Sequence, residues 1–262
     1  MHLHVWVSRD MSPIATSCIV FACVFGGALL GMLLRKVLPE HHLDPDSRSI
    51  VNSGMALIGT MSALLLSLLI ASAKSSFDAQ RGEITQMSAD IIQLDRVLGR
   101  YGPEANLART ALRRMVIAAD QSWSQGSSRS EWLDSAEIRV GVASLYEKVE
   151  ELTPHNDFQR QLQSQALQMG AELGRTRSLL LEQAGSAISL PFLVVMVFWL
   201  SVIFTSFGLF SPRNTTVIAT LLVCALSVSG AIFLILELDS PFSGLLQISD
   251  APLRSAIAHI GQ

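Results

Sequence analysis

Residues 58–87 read IGTMSALLLSLLIASAKSSFDAQRGEITQM. Whether one helix runs through this whole stretch decides the fold. Its first half is apolar and, with the residues before it, gives a segment from Ile50 to Ala73. A membrane helix needs about 20 mainly apolar residues, so this segment is long enough to span. After Lys74 the chain turns polar, but Phe77, Ile84, Met87, Ile91, Leu94, Leu98 and Tyr101 keep a three-and-four spacing. That stripe is coiled-coil-like. No breaker separates the two halves, so the sequence predicts one long rod ended by Gly102-Pro103.

Three more segments have the same length and character: Ile14–Leu34, Leu190–Phe210 and Thr215–Leu238. The composition agrees. Half of the 262 residues are hydrophobic and only 16% are charged, against about 25% in soluble domains. The shortfall sits in the apolar runs, and the middle of the chain has ordinary charge. The expected fold class is therefore all-α: a polytopic membrane protein with four transmembrane helices and a helical extramembrane bundle between the second and third. Expected boundaries are 1–73 for the N-terminal tail and first two spans, 74–189 for the helical domain, 190–238 for the last two spans, and 239–262 for a C-terminal interfacial tail. The extramembrane helices are read at about Glu104–Trp123, Glu131–Leu152 and from Asp157 onward. With four spans, the N-terminus, the middle domain and the C-terminus share one side. Positive residues flank both ends of the spans, which leaves sidedness open.

Several classes of function are disfavoured. A net charge of −3 argues against nucleic acid as a partner. No phosphate loop, nucleophile elbow, H-E-x-x-H or C-x-x-C occurs, so no enzyme and no cofactor is expected. Cys18, Cys23 and Cys224 all lie in apolar runs, and the polar middle has no disulfide framework. His41, His42, Asp44 and Asp46 in HHLDPD are read as a solvated loop rather than a metal site.

The membrane segments carry the remaining signals. Gly27 and Gly31 in GGALLG have the spacing that lets two helices approach closely, and Gly59 is read as a packing glycine too. The second span holds Asn52, Ser53, Thr60 and Ser67 among small residues. Such a helix packs against a neighbour or lines a wet path. Near the C-terminus, Glu237 and Asp239 meet Ser240, Pro241 and Gly244. A carboxylate at mid-bilayer costs about 2.5–3.5 kcal/mol on insertion scales, so two readings stand there. One is an interfacial helix end, with Asp239 or Ser240 as cap and Pro241 opening a new helix. The other is an ion site at a junction of helix ends.

The stretch LILELDSPFSGLLQIS, Leu234–Ser249, resembles the C-terminal signature of the bestrophin-like domain family of bacteria and plants. The glycine-rich first span and FDAQRGEITQMSADIIQL, Phe77–Leu94, are similar to that family as well. The resemblance implies kinship with bestrophins, which are oligomeric anion channels with a helical cytosolic region. The leading expectation is an integral membrane homo-oligomer in the bacterial inner membrane, with the lipid bilayer and inorganic ions as partners. The second span would line an ion path, with the acidic residues near a mouth. The rival expectation is a non-conducting scaffold or signalling protein whose helical domain binds a partner.

Overall fold

The computed structural model describes residues 12–37, 45–124, 135–182, 190–212, 214–240, 242 and 244–261. Among these the helices are α1 (Pro13–Leu34), α2 (Pro45–Tyr101), α3 (Asn106–Ser124), α4 (Ala136–Glu150), α5 (Asp157–Glu182), α6 (Leu190–Phe210), α7 (Thr215–Asp239) and α8 (Ala251–His259). No strand occurs among the described residues. The chain divides into two compact units: Met1–Ser76 with Ala187–Asp239, and Phe77–Ser186 with Ser240–Gln262.

α2 is a single helix of 57 residues. It starts five residues before the expected Ile50 and ends where the glycine and proline end it. Gly102 takes φ 128°, a left-handed conformation that glycine reaches without a Cβ penalty. Pro103 then opens a short 3-10 turn. The last carbonyl of α2, on Tyr101, accepts a hydrogen bond from the Gln159 side-chain amide at 3.0 Å. Such caps matter because the final carbonyls of a helix have no partner within it.

In the first unit, α1 packs against both α6 and α7. Ser12 caps α1, its hydroxyl accepting from the Ala15 N–H at 3.2 Å, and Pro13 sits in the first turn. Val20, Val24, Ala28 and Met32 form a buried ridge four residues apart. They share a core with Met196, Leu200 and Phe204 of α6, Leu221, Ala225 and Ile232 of α7, and Leu69 and Ala73 of α2. Large apolar side chains such as Leu30, Phe198, Val223 and Leu226 stay exposed on the outside. Apolar surface on this scale needs a lipid or protein covering. Four helices are long and apolar enough to cross a membrane, namely α1, α2, α6 and α7.

In the second unit, the end of α2 meets α3, α4, α5 and α8 around one core. Ile91, Leu94 and Leu98 pack with Leu112 and Val116 of α3, Leu145 and Val149 of α4, and Leu162, Leu173 and Leu180 of α5. α4 is capped by Ser135, whose hydroxyl accepts from the Ile138 N–H at 3.4 Å; the expected earlier start at Glu131 falls outside the described residues. At its far end the Gln163 amide donates to the Val149 and Leu152 carbonyls at 2.9 and 2.8 Å. One helix, α5, thus supplies the side-chain caps for two others.

Candidate ion path and the acidic helix end

The hydroxyls of α2 fall into two groups. Ser53, Thr60 and Ser67 are all exposed and stand seven residues apart, so successive members lie two turns apart on one side of the helix. Ala56 and Ala63 alternate with them on the same stripe, and both are exposed. Lys74 continues the register where the apolar half ends. Each hydroxyl proton is given to the helix itself: Ser53 to the Ser49 carbonyl at 3.0 Å, Thr60 to Leu57 at 2.8 Å and Ser67 to Ala63 at 2.8 Å. That back-bonding leaves oxygen lone pairs facing outward. Ser62 belongs to the other group and is buried.

Beside the hydroxyl stripe runs an exposed apolar arc of Leu57, Met61, Leu64 and Leu68. Only 11% of α2's apolar window is buried, compared with 33% for α1, 33% for α6 and 28% for α7. So α2 uses one face for the core of the unit and leaves two uncovered.

Asn52 and Gly59 lie along the edge of the stripe on the Ala56 side. With Ala56 they form one wall of a groove whose other wall is Phe207 and Phe210 of α6. A Cβ on Gly59 would meet nothing within 4 Å among the described residues, so no described helix of the same chain packs closely on it. Gly27 and Gly31 behave differently. A Cβ on Gly27 would lie 2.9 Å from the Ser201 carbonyl oxygen, and one on Gly31 would overlap the Thr205 carbonyl. Gly208 of α6 has the reciprocal relation to the Ala28 carbonyl. Since Gly27 faces Ser201 and Gly31 faces Thr205 and Leu209, α1 and α6 run parallel. Arg35, just past α1, donates to the Ser211 carbonyl just past α6 and ties the two ends together.

The two acids sit at the end of α7. Glu237 is buried at 2% exposure, and Asp239, the last residue of α7, is half-buried. Both have interaction partners. They lie roughly 33 Å (Glu237) and 36 Å (Asp239) from the start of α7 at Thr215, at 1.5 Å per residue. Pro241, where the sequence predicts a helix restart, lies outside the described residues; residue 242 is in a turn, and Gly244 takes φ 132°. The next helix, α8, begins only at Ala251, with Asp250 at its N-cap and Pro252 in its first turn. A left-handed residue at 244 breaks any helix that Pro241 would open.

The tail after Ser240 packs on the second unit. Ile248 is buried, and Leu253, Ala256 and Ile260 join the core of the second unit. Phe242 packs edge-on against Trp123 at 5.2 Å. The tail ends on a polar cluster that the sequence reading missed. Asp95, buried in α2, accepts two hydrogen bonds of 2.8 Å from the Arg109 guanidinium on α3 and one of 3.0 Å from the Gly261 N–H. Burial pushes the Asp95 carboxyl up, but Arg109's hydrogen bond and charge and the Gly261 N–H outweigh it and hold the group below its ordinary value. The available signal was an acid placed directly after Leu94 in the apolar stripe of IIQLDRVL.

HHLDPD lies outside the described residues, apart from the helical backbone of 45 and 46. Among the described residues no group of three or more His, Cys, Asp or Glu side chains is placed to hold a metal.

A family model described as Bestrophin-like domain matches residues 22–253. Among curated proteins none matches the chain. The fold is similar to crystal structures of a bacterial bestrophin homologue from Klebsiella pneumoniae. One, with a tryptophan-to-alanine change, aligns at TM-score 0.66 and 14% identity over 95% of this chain and 97% of that one. Another, with an isoleucine-to-threonine change, aligns at TM-score 0.65 and 13% identity over 94% and 97%.

Proposed function

This chain belongs to the bestrophin-like family, and from that premise we propose that it is a multi-pass protein of the bacterial inner membrane that assembles with copies of itself into a channel-like ion path. α1, α2, α6 and α7 are the spans. α1 and α6 run the same way, and α2 and α7 each follow a short link and run back. Four such crossings leave the helical domain and the tail on one side.

The observation that carries the reading is the uncovered face of α2. A single chain leaves Ser53, Thr60 and Ser67 exposed in one line along an otherwise apolar helix. In a bilayer, polar groups of a span face a bundle interior or a water-filled cavity. Copies arranged around an axis would bring these oxygens together, with Lys74 at the end of the stripe. The adjacent leucine arc would supply the contact between copies. Glu237 and Asp239 then act at the end of α7 as helix-end groups, off the line of the path.

Reconstituted protein in liposomes tests this. A KCl gradient should drive ion flux, and its reversal potential gives the sign of the permeant ion. Thr60→Val and Ser67→Ala should lower conductance, while Lys74→Gln should shift the reversal potential. Absence of flux over a range of ions and pH sinks the channel reading and leaves a scaffold.

A further inference from the structure

We propose that a cavity inside the second unit binds one small, neutral, apolar molecule about the size of a benzene ring. The proposal stands apart from the ion path, since every residue lining the cavity belongs to that unit. The cavity has a volume of about 60 Å³, room for roughly four to six waters at about 10–15 Å³ each. Ile91 of α2, Val116 of α3, Leu145 of α4, Leu173 of α5 and Leu253 of α8 form its walls, and all five are buried. Water there would find few polar partners. An apolar cavity of this kind stays dry or takes an apolar ligand.

Two glycines of α5 open the space. Gly170 and Gly174 stand about one turn apart and both line the cavity. Glycine inside a helix is unfavourable, so its use calls for a reason. A Cβ on Gly174 would meet no described atom within 4 Å, and one on Gly170 would make only ordinary contact with the Tyr146 ring at 3.6 Å. Close packing therefore explains neither. Gly141 of α4 is the contrasting case, since a Cβ there would lie 2.9 Å from the Met115 Cβ. Met87 and Met115 complete the lining. Their unbranched thioether side chains re-pack around ligands of differing shape. Arg177 is the one charged side chain among the described lining residues, and it has an interaction partner of its own. A charged ligand would lose its hydration against these walls, so the fitting ligand is neutral. Tyr146, Gly170, Gly174 and Arg177 are all incompletely buried, which puts the way in between α4 and α5. The competing occupant is Trp132, in the link between α3 and α4 and outside the described residues.

Methyl NMR of the full chain in detergent, labelled at methionine, tests this with benzene as the probe. The Met87 and Met115 methyls should shift saturably. Met61, exposed on α2, should shift only in proportion to the benzene that enters the micelle. Gly174→Leu, which fills the space, should weaken binding about tenfold or more, the effect of losing about two buried methylenes. Gly174→Ala should give a smaller loss in the same direction, and it carries the test if the leucine variant does not fold. Pyrimidine has the same shape but ring nitrogens that need a donor, and should bind about tenfold or more weakly. Absence of saturation at Met87 and Met115 overturns the proposal, as does unchanged affinity in both Gly174 variants or equal affinity for pyrimidine. A several-fold rise of benzene affinity in Trp132→Ala also overturns it, since the cavity would then belong to the chain's own tryptophan.

Discussion

The two halves of α2 are one helix in two environments. From Ile84 to Tyr101 nearly every stripe residue is buried, and the helix forms the centre of a bundle. From Ile50 to Ala73 the apolar residues are more numerous, yet Leu64 is 71% and Leu68 66% exposed. The comparison teaches that apolar content does not say where apolar surface is covered. In the polar half, hydrophobic residues are fewer, and from Met87 onward most join one core. In the apolar half, Leu69 and Ala73 join the core of α1, α6 and α7, and most of the rest stays uncovered.

The largest effect should come from the domain half. Leu98→Ala removes a side chain with 1% exposure and should cost about 2–5 kcal/mol, read as a lower denaturant midpoint of the domain in detergent. An effect under half a kcal/mol would mean that this half is not the core it looks like. Asp95→Asn comes next. It keeps the shape and removes the charge that holds Arg109 and the Gly261 N–H, with an expected loss of about 1.5–3 kcal/mol. Exposure of the tail to protease should rise with it.

The same carboxylate gives a pH test. Its folded-state value lies below the ordinary one, so its contribution is fully present above the ordinary carboxylate pKa of about 4. It is lost as pH falls from there towards the folded value. Wild-type stability should decline in that acid window, and Asp95→Asn should flatten the decline. Parallel curves for the two proteins would remove Asp95 from the account. The smallest effect belongs to the membrane half. Leu64→Ala should change unfolding of the single chain by no more than about 0.5 kcal/mol, as for other uncovered positions. If it instead weakens self-association, seen as a shift to smaller species on a sizing column, the leucine arc is a contact between copies.

Much of this was legible beforehand because it is local. The span lengths, the rod through Lys74, the buried series Ile84, Met87, Ile91, Leu94, Leu98 and Tyr101, and the stop at Gly102-Pro103 all follow from periodicity and breakers within a few turns. The bestrophin-like signature at Leu234–Ser249 was legible as a pattern, but its structure was not. A proline at 241 permits a helix start without requiring one, and Gly244 in a left-handed conformation ends that option. Gly27 and Gly59 looked alike as small residues in apolar helices. Only the partner backbone separates them, since Ser201 lies against the first and no described atom lies within 4 Å of a Cβ on the second.

The sequence by itself determined an all-helical chain with four apolar segments of spanning length and a polar bundle continuous with one of them, because hydrogen bonding and amphipathicity repeat along the chain with the period of the helix. Tertiary structure decided which face of α2 stays uncovered, that Glu237 turns inward, and that the C-terminal residues fold back to reach Asp95. Those outcomes depend on groups up to 166 residues apart in the chain, and no spacing within a helix encodes which distant surface arrives to cover it.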